Sequence, residues 1–255
     1  MTDAAGGNRL NPALIESLHK ALAAFSEDDG VRFILLRSNG AAFCLGMDLE
    51  AYTAGGTGED FHRVVKAYSE LLERIHGCSK TVVGLIEGPV KAGGVGVAAA
   101  CDVVIASNGA SFELSELYLG LIPANVMPYI LAMRMPVKRA AYLVQSAACV
   151  DALTALHWGL VDEVHAPGDM EKALKKLGRR LMRISPMATA RYKAFMEDLR
   201  ASPVGGQQKD RAVKALIDIA SGEDVKTAVK GFSDGETPLW FRNFRPEGRL
   251  SIVVQ

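Results

Sequence analysis

Three short segments carry the residue types that acid–base chemistry on carbon requires. Residues 43–49 read FCLGMDL, a glycine in a loop that leaves a strand. Residues 91–97 read KAGGVGV, a strand end that passes through glycines into a helix. The first N–H groups of such a helix have no partner within it and lie at the positive end of its dipole. Residues 111–123 read SFELSELYLGLIP and set two acids, Glu113 and Glu116, three positions apart in a largely apolar stretch. Two backbone N–H groups from separate loops, converging on one oxygen, make an oxyanion hole, each donor worth roughly 3–4 kcal/mol of transition-state stabilisation. A carboxylate beside that hole in an apolar pocket has a raised pKa and suits a proton shuttle on carbon. Each segment alone also has an ordinary reading: glycine pairs at strand–helix turns are packing devices, and an acid in a loop is usually solvated.

The elements that must hold these segments follow from periodicity. Residues 10–25 read as an amphipathic helix, with Asn11 as N-cap, Pro12 at the first helical position, and Leu14, Leu18, Leu22 and Phe25 on one face. Residues 32–37 (RFILLR) form a short buried strand, followed by the loop 41–50 and a flexible glycine-rich stretch at 55–58. Helical spacing returns over 61–75, including Val64, Val65, Tyr68, Leu71, Leu72 and Ile75. Residues 81–86 are strand-like, 95–100 form a small-residue helix able to pack closely in a core, and 102–106 form another strand. Strands alternating with helices give an α/β fold. Beyond Pro123 the pattern is mainly helical, at 127–134, 138–145, 151–158, 169–183, 186–200 and 208–220.

With 255 residues, 49% of them hydrophobic, the chain can bury a sizeable core. Acids and bases balance at 29 each, so no global field favours nucleic acid or an anionic membrane. The longest apolar runs, such as 95–100, are too short to span a bilayer, and the start of the chain lacks the pattern of a secretory signal. A cytoplasmic enzyme is expected. Cys44, Cys78, Cys101 and Cys149 lie far apart with no C-x-x-C pair and read as buried reduced thiols. The five histidines show no ligand spacing, so no metal is implied. A dinucleotide-binding turn is disfavoured because the glycines run G-G-x-G rather than G-x-G-x-x-G, and no Walker lysine–serine pair occurs.

In combination the segments resemble the enoyl-CoA hydratase/isomerase (crotonase) family. The start N-x-L-N-x-x-L is matched by residues 8–14, the F-C-x-G-x-D-L loop by 43–49, and the glycine loop by Ala92, Gly93 and Gly94. The E-x-x-x-G-x-x-P segment falls within 110–123, and A-x-x-x-G-L-V-D-x-V is matched by 155–164. The resemblance implies an α/β fold, a crotonase-like spiral of ββα units with a helical C-terminal trimerisation region. It places the spiral core at 1–195 and the C-terminal helical region, with a terminal β-hairpin, at 196–255. It further implies oxyanion donors at the N–H groups of Met47 and Gly93, and Glu116 as the acid–base group. The loop ahead of Met47 (Ala42, Phe43 and Gly46) and Gly94 are implied to bind the acyl-pantetheine substrate.

Family hydratases use two glutamates, and the position of the first is occupied here by Gly96. A chain with Glu116 alone is expected to make and quench enolates but to hydrate simple enoyl-CoAs poorly. Residues 92–96, 111–124 and 128–134 look most like the dehydratase of polyketide β-branching cassettes. The expected activity is therefore a hydro-lyase converting 3-hydroxy-3-methylglutaryl to 3-methylglutaconyl thioester on an acyl carrier protein or CoA. A Δ3,Δ2-enoyl-CoA isomerase and an inactive crotonase-fold binding subunit are the alternatives. No cofactor is implied beyond the phosphopantetheine that carries the substrate, and a homotrimer, or a dimer of trimers, is expected. The substrate's free carboxylate wants a cation or polar donors. Lys91 and Asn125 are candidates by position, Tyr118 is a further substrate-binding candidate, and Glu113 is read as structural. Family members begin with a hairpin that this chain lacks, whereas residues 239–255 read as two strands around a turn. Two expectations stay open: a circular permutation, with the C-terminal hairpin in the place of the N-terminal one, or a short N-terminal truncation with an unrelated tail.

Overall fold

In the computed structural model, residues 6–48, 58–200, 213–214, 217–218, 222–234, 236–238, 240–242 and 253–254 are described. The glycine-rich stretch at 55–57 and most of the helix expected at 208–220 lie outside them. Pro12–Glu27 forms α1, and Asn11 caps it by accepting the Leu14 N–H at 2.8 Å. Strand β1 (Phe33–Ser38) is followed by α2 (Gly58–His76), β2 (Thr81–Ile86) and the two-residue β3 (Val90–Lys91). Helix α3 (Gly93–Ala100), β4 (Val103–Ser107) and β5 (Ser111–Glu113) come next, and then a 3-10 turn over Glu116–Leu119. The remaining elements are α4 (Met127–Met133), α5 (Val137–Ser146), β6 (Val150–Asp151), α6 (Ala152–Trp158), β7 (Glu163–His165), α7 (Met170–Leu181), α8 (Pro186–Arg200), α9 (Glu223–Ser233) and β8 (Val253–Val254).

The strands build a five-stranded sheet in the order β7-β4-β2-β1-β8, with every neighbouring pair parallel. Parallel neighbours need a crossover between them, which α2 supplies from β1 to β2 and α3 from β2 to β4. A sheet covered in this way reads as near-continuous apolar runs, and five of the six residues of β2 are buried. A second sheet runs β3-β5-β6, with β3 parallel to β5 and β6 antiparallel to it. Val90 pairs with Phe112 and Lys91 with Glu113. The segment before α3 and the segment before Glu116 are thereby tied side by side.

Helix α3 is buried along all eight residues. Arg134 secures its far end: the guanidinium reaches Ala99 O and Cys101 O and pairs with Asp162 Oδ2 at 2.8 Å. A cation over the last carbonyls also complements the negative end of the dipole. Asp162 Oδ2 in turn accepts the Val104 N–H, and Asp102 Oδ2 accepts the Val82 N–H, at 2.6 and 2.7 Å. These two acids belong to the scaffold.

The chain divides into two compact units, Met1–Leu174 with Glu247–Gln255, and Lys175–Pro246. In the first, β8 pairs with the end of β1, Arg37 with Val253 and Ser38 with Val254, at the edge of the large sheet. The turn of the expected terminal hairpin lies outside the described residues. In the second unit, Trp240 to Arg242 do not form a strand. The Phe241 N–H closes a turn on Pro238 O at 2.9 Å, the Arg242 N–H donates to Met182 O, and Arg183 stands 4.9 Å over the Phe241 ring. Of the cysteines, Cys44, Cys78 and Cys101 are buried as expected, while Cys149 is exposed. It follows the α5 helix in a short surface connection before β6.

Asn8 joins the start of the chain to the loop after β1. It has a positive φ of 52°, is 5% exposed, and its Nδ2 donates to Asn39 O and Ala42 O at 2.9 Å each. Replacing this buried side chain removes both bonds, leaving Asn39 O without that donor and Ala42 O with the Ser38 hydroxyl alone. Asn8→Ala is expected to lower unfolding free energy by about 2 kcal/mol, read from the midpoint shift in urea at unchanged slope.

Candidate active site

The loop after β1 is held by backbone bonds on both of its flanks. The Phe43 N–H donates to Pro89 O at 3.0 Å, the Leu45 N–H to Gly7 O at 3.1 Å, and the Leu10 N–H to Gly46 O at 2.8 Å. The Asp48 N–H donates back to Leu10 O at 3.3 Å. Gly46 C=O and Asp48 N–H thus both face Leu10, so in an extended chain the Met47 N–H faces the other way. It finds no acceptor among the described residues. Gly46 has φ +86°, and a Cβ there would lie 2.9 Å from Ala92 Cβ and 3.5 Å from Gly93 N. Only glycine lets this loop lie so close to the start of α3.

On the other side of that contact, Ala92 precedes α3 with φ 47° and ψ −120°, a conformation that costs a non-glycine residue about 1–3 kcal/mol. Neighbouring bonds hold it there: the Ala92 N–H donates to Glu113 O and the Lys91 N–H to Cys44 O, both at 2.9 Å. Gly93 then opens α3, and its N–H has no carbonyl one turn behind it. A Cβ at Gly94 would meet Cys44 O at 2.5 Å. Gly46 and Gly94 therefore act from behind the cavity, as the two surfaces that let loop and helix end touch.

Glu116 enters from the third segment. Strand β5 ends at Glu113, and the 3-10 turn over Glu116–Leu119 is closed by Gly120 in the left-handed region, φ 71°. The Glu116 Oε2 atom is buried and has no hydrogen-bond partner among the described residues. Burial raises its pKa above the usual carboxylate value; a hydrogen bond from its own backbone lowers it, and the negative charge of Glu113 raises it further. Glu113 is itself paired to Lys91, Nζ to Oε2 at 2.8 Å.

A cavity of about 530 Å³ brings these groups together. Met47, Gly93, Glu116, Lys91 and Asn125 line it, and Glu116 is the one carboxylate among its described lining residues. Asn125 donates from Nδ2 to Val65 O at 3.2 Å, which fixes its amide at the wall. Ala42 and Phe43 do not line the cavity: both are buried, with Ala42 O accepting from Asn8 and from Ser38 Oγ. Tyr118 is 74% exposed and lies outside the lining, because the 3-10 turn directs Glu116 inward and Leu117 and Tyr118 away from it. Lys91 is not an unengaged cation, given its pairing to Glu113. Cys44, next to the loop glycine, is no nucleophile: burial pushes its thiol up to about 12.

Of the lining residues that the sequence did not single out, Arg9 and Tyr68 bear on the chemistry. Arg9, exposed, contributes a second cation. Tyr68, read from its spacing as a core position of α2, is 2% exposed and also lines the cavity. Its Oη donates to Gly93 O at 2.6 Å. Burial, and then the Cys44, Glu116 and Tyr129 groups, push the phenol well above its ordinary pKa. The signal available beforehand was a hydroxyl at an otherwise apolar core position.

Parallel strands, buried crossover helices and a cavity bounded by two glycine loops are those of a crotonase-type α/β protein. The chain belongs to the enoyl-CoA hydratase/isomerase family, whose model matches residues 1–243. It is 32% identical over 193 residues to the bacillaene synthase dehydratase PksH of Bacillus subtilis, covering 75% of this chain and 73% of the relative. It is also 32% identical over 235 residues to the enoyl-CoA hydratase AKT6-1 of Alternaria alternata, covering 90% and 75%. Among solved structures, AtuE of Pseudomonas aeruginosa superposes with a TM-score of 0.81 at 30% identity, covering 90% of each chain. No helix among the described residues is long and apolar enough to cross a membrane.

The raised pKa of Glu116 has a definite sign. Between the unfolded carboxylate pKa and the higher folded one, the native state binds more protons, so stability falls as pH rises through that window. Glu116→Gln is therefore expected to melt above the parent at about pH 8, the difference vanishing near pH 4. Thermal melts of the two proteins at both pH values check this.

Proposed function

We propose that the protein is a hydro-lyase that removes water from a 3-hydroxy-3-methylglutaryl thioester, carried on an acyl carrier protein, in polyketide β-branching. The observation that carries the reading is the buried Glu116 Oε2 atom without a hydrogen-bond partner, on the one carboxylate among the described lining residues. The similarity to a bacillaene synthase dehydratase supports dehydration as the direction of the reaction.

In this reading the thioester oxygen accepts hydrogen bonds from the Met47 and Gly93 N–H groups. Ionised Glu116 removes the α-proton, and the electron pair moves onto that oxygen as an enolate, which two preorganised donors stabilise. The enolate then collapses, the double bond forms between Cα and Cβ, and the β-hydroxyl leaves. Glu116 hands its proton to that hydroxyl, so one water departs and the carboxylate is restored. An elevated pKa serves both halves, since Glu116 must accept and then release the same proton near neutral pH. The substrate's free carboxylate lies toward Arg9 and Lys91, the two cations among the described lining residues. No cofactor takes part, because the reaction is proton transfer and C–O cleavage. The protein is further proposed to work in the cytoplasm as a homotrimer.

The test is mass spectrometry on 3-hydroxy-3-methylglutaryl-ACP, its CoA ester and a 3-enoyl-CoA. Loss of water from the first is expected, and Glu116→Gln should slow it by about a thousandfold while binding persists. Double-bond migration in the 3-enoyl-CoA alone would instead make the protein an isomerase. Binding without turnover of any of the three would make it a binding subunit.

A further inference from the structure

Gly96 lies inside α3 and is fully enclosed. A Cβ built on it would stand 2.2 Å from Tyr68 Oη, 3.1 Å from Val126 Cγ2 and 3.2 Å from Leu72 Cδ1. No side chain fits at position 96 while the phenol is in place. The volume that such a side chain would enter is filled from α2 instead.

The phenol is more than bulk. Its hydroxyl proton is committed to Gly93 O at 2.6 Å, and a Cβ at Gly93 would lie 3.3 Å from both Cζ and Oη of Tyr68. The same ring faces the cavity that holds Glu116. What Tyr68 offers there is a neutral hydroxyl oxygen. Burial keeps it protonated, so it cannot serve as a base at ordinary pH.

We propose that Tyr68 determines how this cavity performs its reaction: it takes the place of any side chain at 96, so that no second carboxyl stands beside Cβ and Glu116 alone must serve both Cα and the β-oxygen. Through its bond to Gly93 O it is also the positioning residue for the Gly93 N–H. The inference rests on the roles given above to Glu116 and the two N–H donors. It adds that the course of the chemistry is set by a neutral residue on a different helix.

The experiment compares two reactions in the full-length protein: α-proton exchange of an acyl thioester in D2O, and hydration of crotonyl-CoA. In Gly96→Glu/Tyr68→Ala the new carboxylate would take a proton from water and hydroxide would add to Cβ. The electron pair would move to the thioester oxygen, and Glu116 would return a proton to Cα. Hydration is expected to rise by about a hundredfold over the parent. A folded double variant that still exchanges α-protons but hydrates no faster overturns the proposal.

Tyr68→Phe keeps the ring and removes the hydroxyl, and it decides the matter if the double variant does not fold. It should gain no hydration while kcat for exchange drops about tenfold at unchanged KM, because Gly93 loses its anchor. A gain of hydration, or an unchanged kcat, overturns the proposal. If the parent exchanges α-protons no faster than Glu116→Gln, the assignment of Glu116 itself fails. That result is distinct from either Tyr68 outcome and removes the proposal with it.

Discussion

Cys44 O accepts the Lys91 N–H at 2.9 Å, and around this bond the loop after β1 meets the entrance to α3 backbone against backbone. Everything in the site depends on that closeness. A Cβ at Gly46 would strike Ala92, and one at Gly94 would strike Cys44 O. Two N–H groups from segments far apart in sequence can only be aimed at one oxygen if their backbones lie this near. Ala92 is held in a conformation unfavourable for its type to complete the approach, with the cost met by hydrogen bonds to Glu113 and from Val95. The second sheet makes the same geometry rigid, because β3 and β5 are paired in register immediately before the helix and immediately before Glu116.

Electrostatics then follow from packing. Helix α3 is buried throughout, so its two ends have to be treated differently. At the C-terminal end Arg134 reaches the last carbonyls and is neutralised by Asp162. At the N-terminal end the first N–H remains unmatched, facing a cavity where a negative charge can develop. An unsatisfied donor and an unsatisfied carboxyl oxygen in one enclosure are each expensive in a resting protein. Their coexistence beside Tyr68 and the Lys91–Glu113 pair is what one expects where binding, rather than folding, satisfies them.

Much of the fold could be read from local signals. Asn11 and Pro12 mark the start of α1, and the run at 81–86 coincides with β2, since capping and apolar runs act over a few residues. In the site, the glycine loops and Glu116 stood out because their chemistry is written in residue type. What could not be read is which side of a turn each residue faces. Tyr118 and Glu116 are two positions apart in a 3-10 turn, yet one is exposed and the other turned inward. Lys91 and Glu113 form an ion pair only because β3 and β5 are in register, a long-range fact that spacing does not carry. Tyr68 was hidden for the same reason: the pattern of α2 shows that it is buried but not what its hydroxyl meets.

That hydroxyl bears on why a single carboxyl is a coherent arrangement rather than a depleted one. Two carboxyls sharing a small apolar enclosure repel when both are ionised, so one of them is forced to keep its proton. Here, among the described residues, the negative charge acting on Glu116 comes from Glu113, and Lys91 is bound to that residue at 2.8 Å. A neutral phenol at the vacated position adds hydrogen-bonding capacity without adding charge. The pKa of Glu116 is then governed chiefly by burial, which changes when a substrate enters and excludes water. Glycine at 96 and tyrosine at 68 thus form one unit: the first makes room, and the second fills that room with a group that leaves the proton chemistry to Glu116.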